Sequence, residues 1–185
     1  MNDRAFVVII PPARGTLELV ATQTQVSVEE YLRTSFTGAD CDFVDGEIVE
    51  RNVGGNRHST TQGRLIEFFY DLRKSHPFYA RPELRFKLHE GRFRVADVAV
   101  FEGEPPVAEV PSTPPLIVIE IVSRDDRYTE IVEKLDEYRA WGVQHVWLVD
   151  PYLRKIYTCG NSGLREVSEF LLPPSGFRLT LDDIV

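Results

Sequence analysis

Two carboxylates stand in stretches of sequence that are otherwise apolar. Glu120 is the lone charge in Leu116-Ile117-Val118-Ile119-Glu120-Ile121-Val122, and Asp97 interrupts Val95-Ala96-Asp97-Val98-Ala99-Val100-Phe101 in the same way. A strand covered on both faces offers no water to an ionised carboxyl, so each acid must be paired, protonated or bound to a cation. Side-chain alternation puts Glu120 on the face of Leu116, Val118 and Val122, and Asp97 on the face of Phe93, Val95, Ala99 and Phe101. On adjacent strands the two would repel each other unless a cation lies between them. A third charge converges on them. On a helix turning about 100° per residue, Lys134 falls about 60° from Ile131, within the stripe of Ile131, Leu135 and Tyr138, while Glu133, Asp136 and Glu137 point away. Two buried acids and one ammonium converging from three elements form a coherent constellation.

Each residue also has a plainer reading. A lysine at the edge of an apolar stripe ordinarily snorkels to water, and a strand glutamate can be the structural partner of a helix lysine. His58, at a helix start, can be an exposed or capping histidine, and Glu47, just after a turn, can be a surface residue. Their joint occurrence in order along one chain favours a site.

The elements that must position these groups are legible. Ser27-Val28-Glu29-Glu30 reads as a capping box opening a short helix through Tyr31 and Leu32. Asp45-Gly46, between two β-prone runs, predicts a hairpin. After the Gly54-Gly55 break, a helix over about His58–Lys74 carries His58, Leu65, Phe69 and Leu72 on one stripe. Strands follow over about Phe78–Leu88 and Phe93–Phe101, joined at Glu90-Gly91. A Pro-rich loop then leads to the Leu116–Val122 strand, a helix over about Arg127–Trp141 and the strand Val146–Val149. The short Gly91 connection predicts an antiparallel pair and the long helix a parallel crossover. The tail reads as a hairpin around Asn161-Ser162-Gly163 and a loose C-terminal segment. The expected fold is α/β (α+β mixed), with a mixed central sheet flanked by helices and an N-terminal helix and hairpin extension. Residues 1–26 read as a leader and 27–185 as one domain.

The 185 residues carry 21 Lys+Arg against 29 Asp+Glu, a net charge of −8. Such a chain repels polyanions at long range, so nucleic-acid binding would need a local basic surface or bound cations. Cys41 and Cys159 are too few for a zinc cluster or a disulfide framework and read as reduced thiols. Phe6–Ile10 is too short for a membrane span. A cytoplasmic protein without a membrane partner is expected.

The order and spacing resemble the PD-(D/E)XK nuclease superfamily and, more narrowly, the bacterial restriction-endonuclease family of Uma-two type, a former domain of unknown function. The resemblance rests on Asp45-Gly46-Glu47, the helix opened by His58, Arg94–Val100, Val118–Ser123, Lys134, Tyr138, Gly142-Val143 and Val146–Pro151. It implies an α-β-β-β-α-β core of restriction-endonuclease type and a metal-dependent site. Asp97 matches the first acid and Glu120 the second, both as catalytic and metal residues, with Mg²⁺ or Mn²⁺ as cofactor. Ala96 replaces the motif's proline, a mild change, because proline there supplies backbone geometry. Val122 replaces the motif's lysine, and the resemblance moves that role to Lys134 on the next helix. Glu47 and His58 are weaker carry-overs, as outer metal ligands or substrate contacts.

The implied activity is hydrolysis of phosphodiester bonds in nucleic acid, namely DNA, by metal-assisted attack of water. Lys134 would orient or deprotonate that water, or stabilise developing charge. Arg85, Lys87, Arg92 and Arg94 are candidate phosphate contacts within a locally basic stretch. Two alternatives stand beside this reading. One is a nuclease-fold binding module without turnover, supported by the acidic charge and by Val122. The other is a hydrolase of smaller phosphoesters. Apolar edges and Trp147 leave room for a homodimer.

Overall fold

The computed structural model describes residues 25–37, 39–52, 54–172 and 175–185. All but the last two residues of the expected leader lie outside them. Helix α1 (Val28–Arg33) begins at Ser27, whose hydroxyl accepts the Glu30 amide at 3.1 Å, one half of the expected capping box. Strands β1 (Asp42–Val44) and β2 (Glu47–Val49) pair antiparallel across Asp45 and Gly46. Both turn residues have positive φ, 50° and 97°, as a two-residue hairpin of this twist requires.

Helix α2 (Asn56–Leu72) buries His58, Leu65 and Phe69 of the expected stripe and also Thr61, while Leu72, in its last turn, is partly buried. Strands β3 (Phe78–His89) and β4 (Arg92–Glu102) form a long antiparallel pair. Strand β5 (Ile117–Ile121) is buried throughout and runs antiparallel to β4. Helix α3 (Tyr128–Trp141) then crosses to β6 (His145–Asp150), which pairs parallel with β5. Strands β7 (Lys155–Gly160) and β8 (Gly163–Val167) extend this sheet antiparallel. The fold is therefore α+β with a mixed central sheet flanked by helices.

The C-terminal segment departs from expectation. It forms a second antiparallel pair, β9 (Glu169–Leu172) with β10 (Phe177–Thr180), and a short helix α4 (Leu181–Ile184). Far from loose, it covers the α2 face of the sheet: Phe170 stacks on Trp147 with centroids 4.3 Å apart, and Leu172, Leu179 and Ile184 join Leu65, Phe69 and Ile119 in one core. Trp147 is thereby only 2% exposed, which removes it as a dimer contact. On the opposite face, α3 packs Leu135 and Tyr138 against Ala99, Val118, Val146 and Leu148. Among the described residues no helix is long and apolar enough to cross a membrane.

The sheet is interrupted along one edge of β4. Strand β3 covers the opposite edge along most of its length. The interrupted edge is shared: β1 pairs with residues 92–93 and β5 with residues 98–100, leaving 94–97 without a strand partner on that edge among the described residues. Backbone polar groups there still need partners. Side chains supply them, because the Val95 amide donates to Asp42 at 2.8 Å and the Val95 carbonyl accepts Lys134 Nζ at 2.8 Å.

Candidate active site

Asp97 lies in this gap. Continuing the register from Val98↔Ile119 sets it opposite Glu120, one step beyond the last ladder pair. Like charges directly opposite on paired strands are unfavourable, and here the ladder ends. Instead Asp97 Oδ2 accepts the backbone amide of Ile121 at 2.7 Å. With no neighbouring strand in the way, other elements also reach this acid. His58 Nε2 of α2 lies 3.2 Å from Oδ2, and Arg51, from the segment after β2, pairs with Oδ1. Gln62 binds the Asp97 carbonyl at 2.9 Å.

Glu120 alternates with Val118 onto the α3 face, where the helix stripe aims Lys134. Lys134 Nζ stands 2.9 Å from Glu120 Oε2, and both side chains are about nine-tenths buried. Among the described residues neither the other carboxyl oxygen, Oε1, nor the hydroxyl of Tyr138 has a hydrogen-bond partner, though both are buried. Burial, and then the nearby Glu120 charge, raise the Tyr138 hydroxyl well above its usual pKa. Asp97, Glu120, Lys134, His58 and Arg51 line one cavity of about 230 Å³, whose wall also carries Glu50, Asp126, Glu130 and Glu133.

The two acids differ in their proton affinity. Burial disfavours ionisation of Asp97, but the His58 hydrogen bond and the charges of Arg51 and Lys134 outweigh it and hold the carboxyl down at about 2. For Glu120, burial prevails and the Asp97 charge adds to it, so that even beside Lys134 the carboxyl is pushed up to about 7. His58 is also shifted: burial works against its proton, yet the Asp97 hydrogen bond and charge raise it above the ordinary range. Paired acids with proton affinities driven apart are a frequent mark of a functional site.

Several expected site residues are placed differently. Glu47 is exposed on β2 and is absent from the cavity wall, where Glu50 and Arg51 stand instead. Glu47 stands next to the hairpin turn, paired with Val44, and beyond the turn the chain first reaches the cavity at Val49, Glu50 and Arg51. The basic residues of β3 and β4 do not form a bare phosphate-binding surface. Arg85 pairs with Asp40, Lys87 with Glu90, Arg92 with Asp45, and Arg94, largely buried, with Asp42 and Glu137. Apart from Glu90, which lies within the stretch, these acids come from distant parts of the chain; of the four basic residues Arg94 lines the cavity. His58, by contrast, sits on Asp97 itself, so closely packed that a Cβ on Gly54 would lie 2.5 Å from its Nδ1. Arg51 was not anticipated from sequence, where a lone arginine before two glycines has no periodicity to mark it.

The donor set bears on a cation. Among the described residues no group of three or more His, Cys, Asp or Glu is placed to hold a metal. Two carboxylates, one with an unpartnered buried oxygen, fit a hard cation that keeps several of its waters.

Comparison with known proteins places the chain. The family model described as Uma2, Putative restriction endonuclease, matches residues 28–181. Among solved structures, the crystal structure of a putative nuclease belonging to DUF820 from Anabaena variabilis ATCC 29413 matches with a TM-score of 0.71 and 22% identity, covering 86% of this chain and 97% of that one. At this identity the likeness speaks for the fold. No curated protein matches the chain significantly.

Proposed function

Because the chain belongs to the Uma2 family of putative restriction endonucleases, we propose that it is a divalent-metal-dependent nuclease acting on the phosphodiester bonds of DNA. The observation that carries this reading is that Glu120, which lines one cavity with Asp97 and Lys134, keeps a buried carboxyl oxygen without a partner among the described residues. A buried acceptor of that kind is costly unless something binds it. Asp97 and Glu120 would hold Mg²⁺ or Mn²⁺. The ion would neutralise phosphate charge and lower the pKa of an attacking water.

The remaining work belongs to side chains. The Ile121 amide and His58 orient Asp97. Lys134, fixed between Glu120 and the Val95 carbonyl, is held where it can orient water or donate to developing negative charge. The acids around the cavity wall disfavour a polyanion and favour cations, so metal binding would precede or accompany DNA.

The reading is tested by titrating the chain with Mg²⁺ or Mn²⁺ in a thermal-shift assay, followed by hydrolysis assays on DNA, RNA and a small phosphodiester. At 100 times Kd, mass action adds about 2.7 kcal/mol, which should raise Tm by about 5–10 °C. No shift and no hydrolysis would exclude the reading. A non-catalytic module remains the second reading, favoured by one observation: Arg51 already supplies a cation to Asp97.

The DNA contacts are assigned to other arginines than the sequence suggested. Arg57 and Arg124 are exposed, make no carboxylate pair among the described residues, and flank the ring of Tyr152 at 5.5 and 6.0 Å. Their neighbours His58 and Ser123 line the cavity. Replacing both by alanine should weaken binding to a short duplex and reduce the slope of log K against log salt by about 1.8, as loss of two phosphate contacts predicts. Fluorescence anisotropy with Ca²⁺ in place of Mg²⁺ measures it; an unchanged slope removes both residues from the DNA interface. Hydrolysis of the small phosphodiester should be unaffected.

A further inference from the structure

The guanidinium of Arg51 occupies a position that the proposed metal also needs. Its side chain is only 12% exposed, and its two terminal nitrogens are divided between acids of different strands. Nη1 lies 2.6 Å from Glu83 of β3, and Nη2 pairs with Asp97 Oδ1. The partners of the Asp97 oxygens are unequally distributed. Oδ2 is taken by His58 and by the Ile121 amide, whereas Oδ1 has only Arg51 among the described residues. Oδ1 is thus the oxygen through which Asp97 can best bind a cation, and it is already bound to one.

Two cations on the same carboxylate oxygen repel each other, and the repulsion grows as water is excluded. Glu83 offers the arginine a second anchor. Its side chain is 42% exposed, so a guanidinium held there alone remains partly solvated and tethered beside the cavity. Arginine also suits such an exchange, since its planar fork binds a phosphate as readily as a carboxylate.

On the reading that Asp97 and Glu120 hold a metal, we infer that Arg51 is the built-in counter-ion of the acid pair, which a divalent cation must displace from Asp97 in order to bind. In the metal-free chain Arg51 offsets the repulsion between Asp97 and Glu120. When the cation enters, the guanidinium is released toward Glu83 and becomes free to take a phosphate oxygen of the substrate. Metal and phosphate then assist each other's binding, since each removes what opposes the other.

The test needs no turnover. Parent, Arg51→Met and Arg51→Gln are titrated with Mn²⁺ by calorimetry and by electron paramagnetic resonance, with metal-free thermal unfolding run alongside. Loss of the competing charge should tighten Mn²⁺ binding by about tenfold or more, within the usual range of coupling between sites, while lowering metal-free Tm. Arg51→Gln keeps a hydrogen-bond donor to Asp97 and carries the same expectation should Arg51→Met fail to fold. A parent that binds Mn²⁺ as tightly as the variants, or more tightly, overturns the counter-ion role and leaves the metal site standing. Absence of Mn²⁺ binding in the parent and in both variants overturns the metal site and the inference with it.

Discussion

Glu120→Gln is expected to abolish the thermal response to Mg²⁺ and DNA hydrolysis, yet to leave the metal-free chain as stable as the parent, or more stable, at pH 8. The sign comes from the raised proton affinity of Glu120. Its carboxyl titrates near 7 in the folded chain because it is buried beside Asp97, and near 4.3 in an unfolded one. Folding therefore favours the neutral acid. Stability contributed by the protonated form is fully present at low pH and is lost as pH rises from about 4.5 through 7, a change on the order of 3 kcal/mol. Glutamine keeps the shape without the charge, so this loss disappears. Lys134 retains the Val95 carbonyl and can still donate to the amide oxygen at the Glu120 position. Asp97 behaves oppositely: with its carboxyl held near 2, its contribution is present above about pH 4 and is lost on acidification. Denaturant unfolding of parent and variant at pH 5 and pH 8, without metal, reads the difference. Metal affinity should fall by at least about 100-fold, since even residues that only orient metal ligands cost 10–100-fold. If the variant instead loses about 3–5 kcal/mol at pH 8 and still responds to Mg²⁺, Glu120 is half of a structural ion pair and the active-site assignment fails.

Lys134→Met is expected to produce the reverse pattern. The variant leaves Glu120 facing Asp97 with no ammonium beside it, and leaves the Val95 carbonyl without its donor. Breaking a buried pair from the basic side costs about 3–5 kcal/mol. That cost should be greatest above pH 7, where Glu120 is ionised, and should shrink toward pH 5, where it takes up a proton. The Mg²⁺ response should survive, because both carboxylates remain. Hydrolysis should fall by about 10²–10⁴-fold, the range for loss of a positioned proton-transfer group. A variant that hydrolyses DNA within a few-fold of the parent would leave Lys134 as the structural partner of Glu120 only. Together the two variants separate metal holding, assigned to Glu120, from water orientation, assigned to Lys134.

The likeness to the Anabaena variabilis structure and the Uma2 match concern fold and family. How this chain treats its two acids is a separate matter, and the gap between β1 and β5 is central to it. A continuous ladder along β4 would have sealed Asp97 between neighbouring strands. With residues 94–97 lacking a strand on that edge among the described residues, the acid is reached from α2, from the segment after β2 and from the β5 backbone. The same opening exposes Glu120 and Lys134 to the cavity.

The elements and the core constellation could be read before any coordinates, because both are written in local patterns. Alternation marked Asp97 and Glu120 as charges in apolar strands, helical periodicity aimed Lys134 at the sheet, and the Asp45-Gly46 turn announced its hairpin. Each such pattern needs only neighbours within a few residues along the chain. Contacts between distant segments leave no such trace. Arg51 reaches Asp97 across 46 positions, and Arg94 reaches Asp42 across 52. The basic stretch therefore looked unneutralised in sequence and proved to be paired in the fold. The C-terminal residues carried too short a pattern to suggest that Phe170 would stack on Trp147. Which charges meet was settled only by folding, because burial and Coulomb energy depend on distance in space, and separation along the chain does not set that distance.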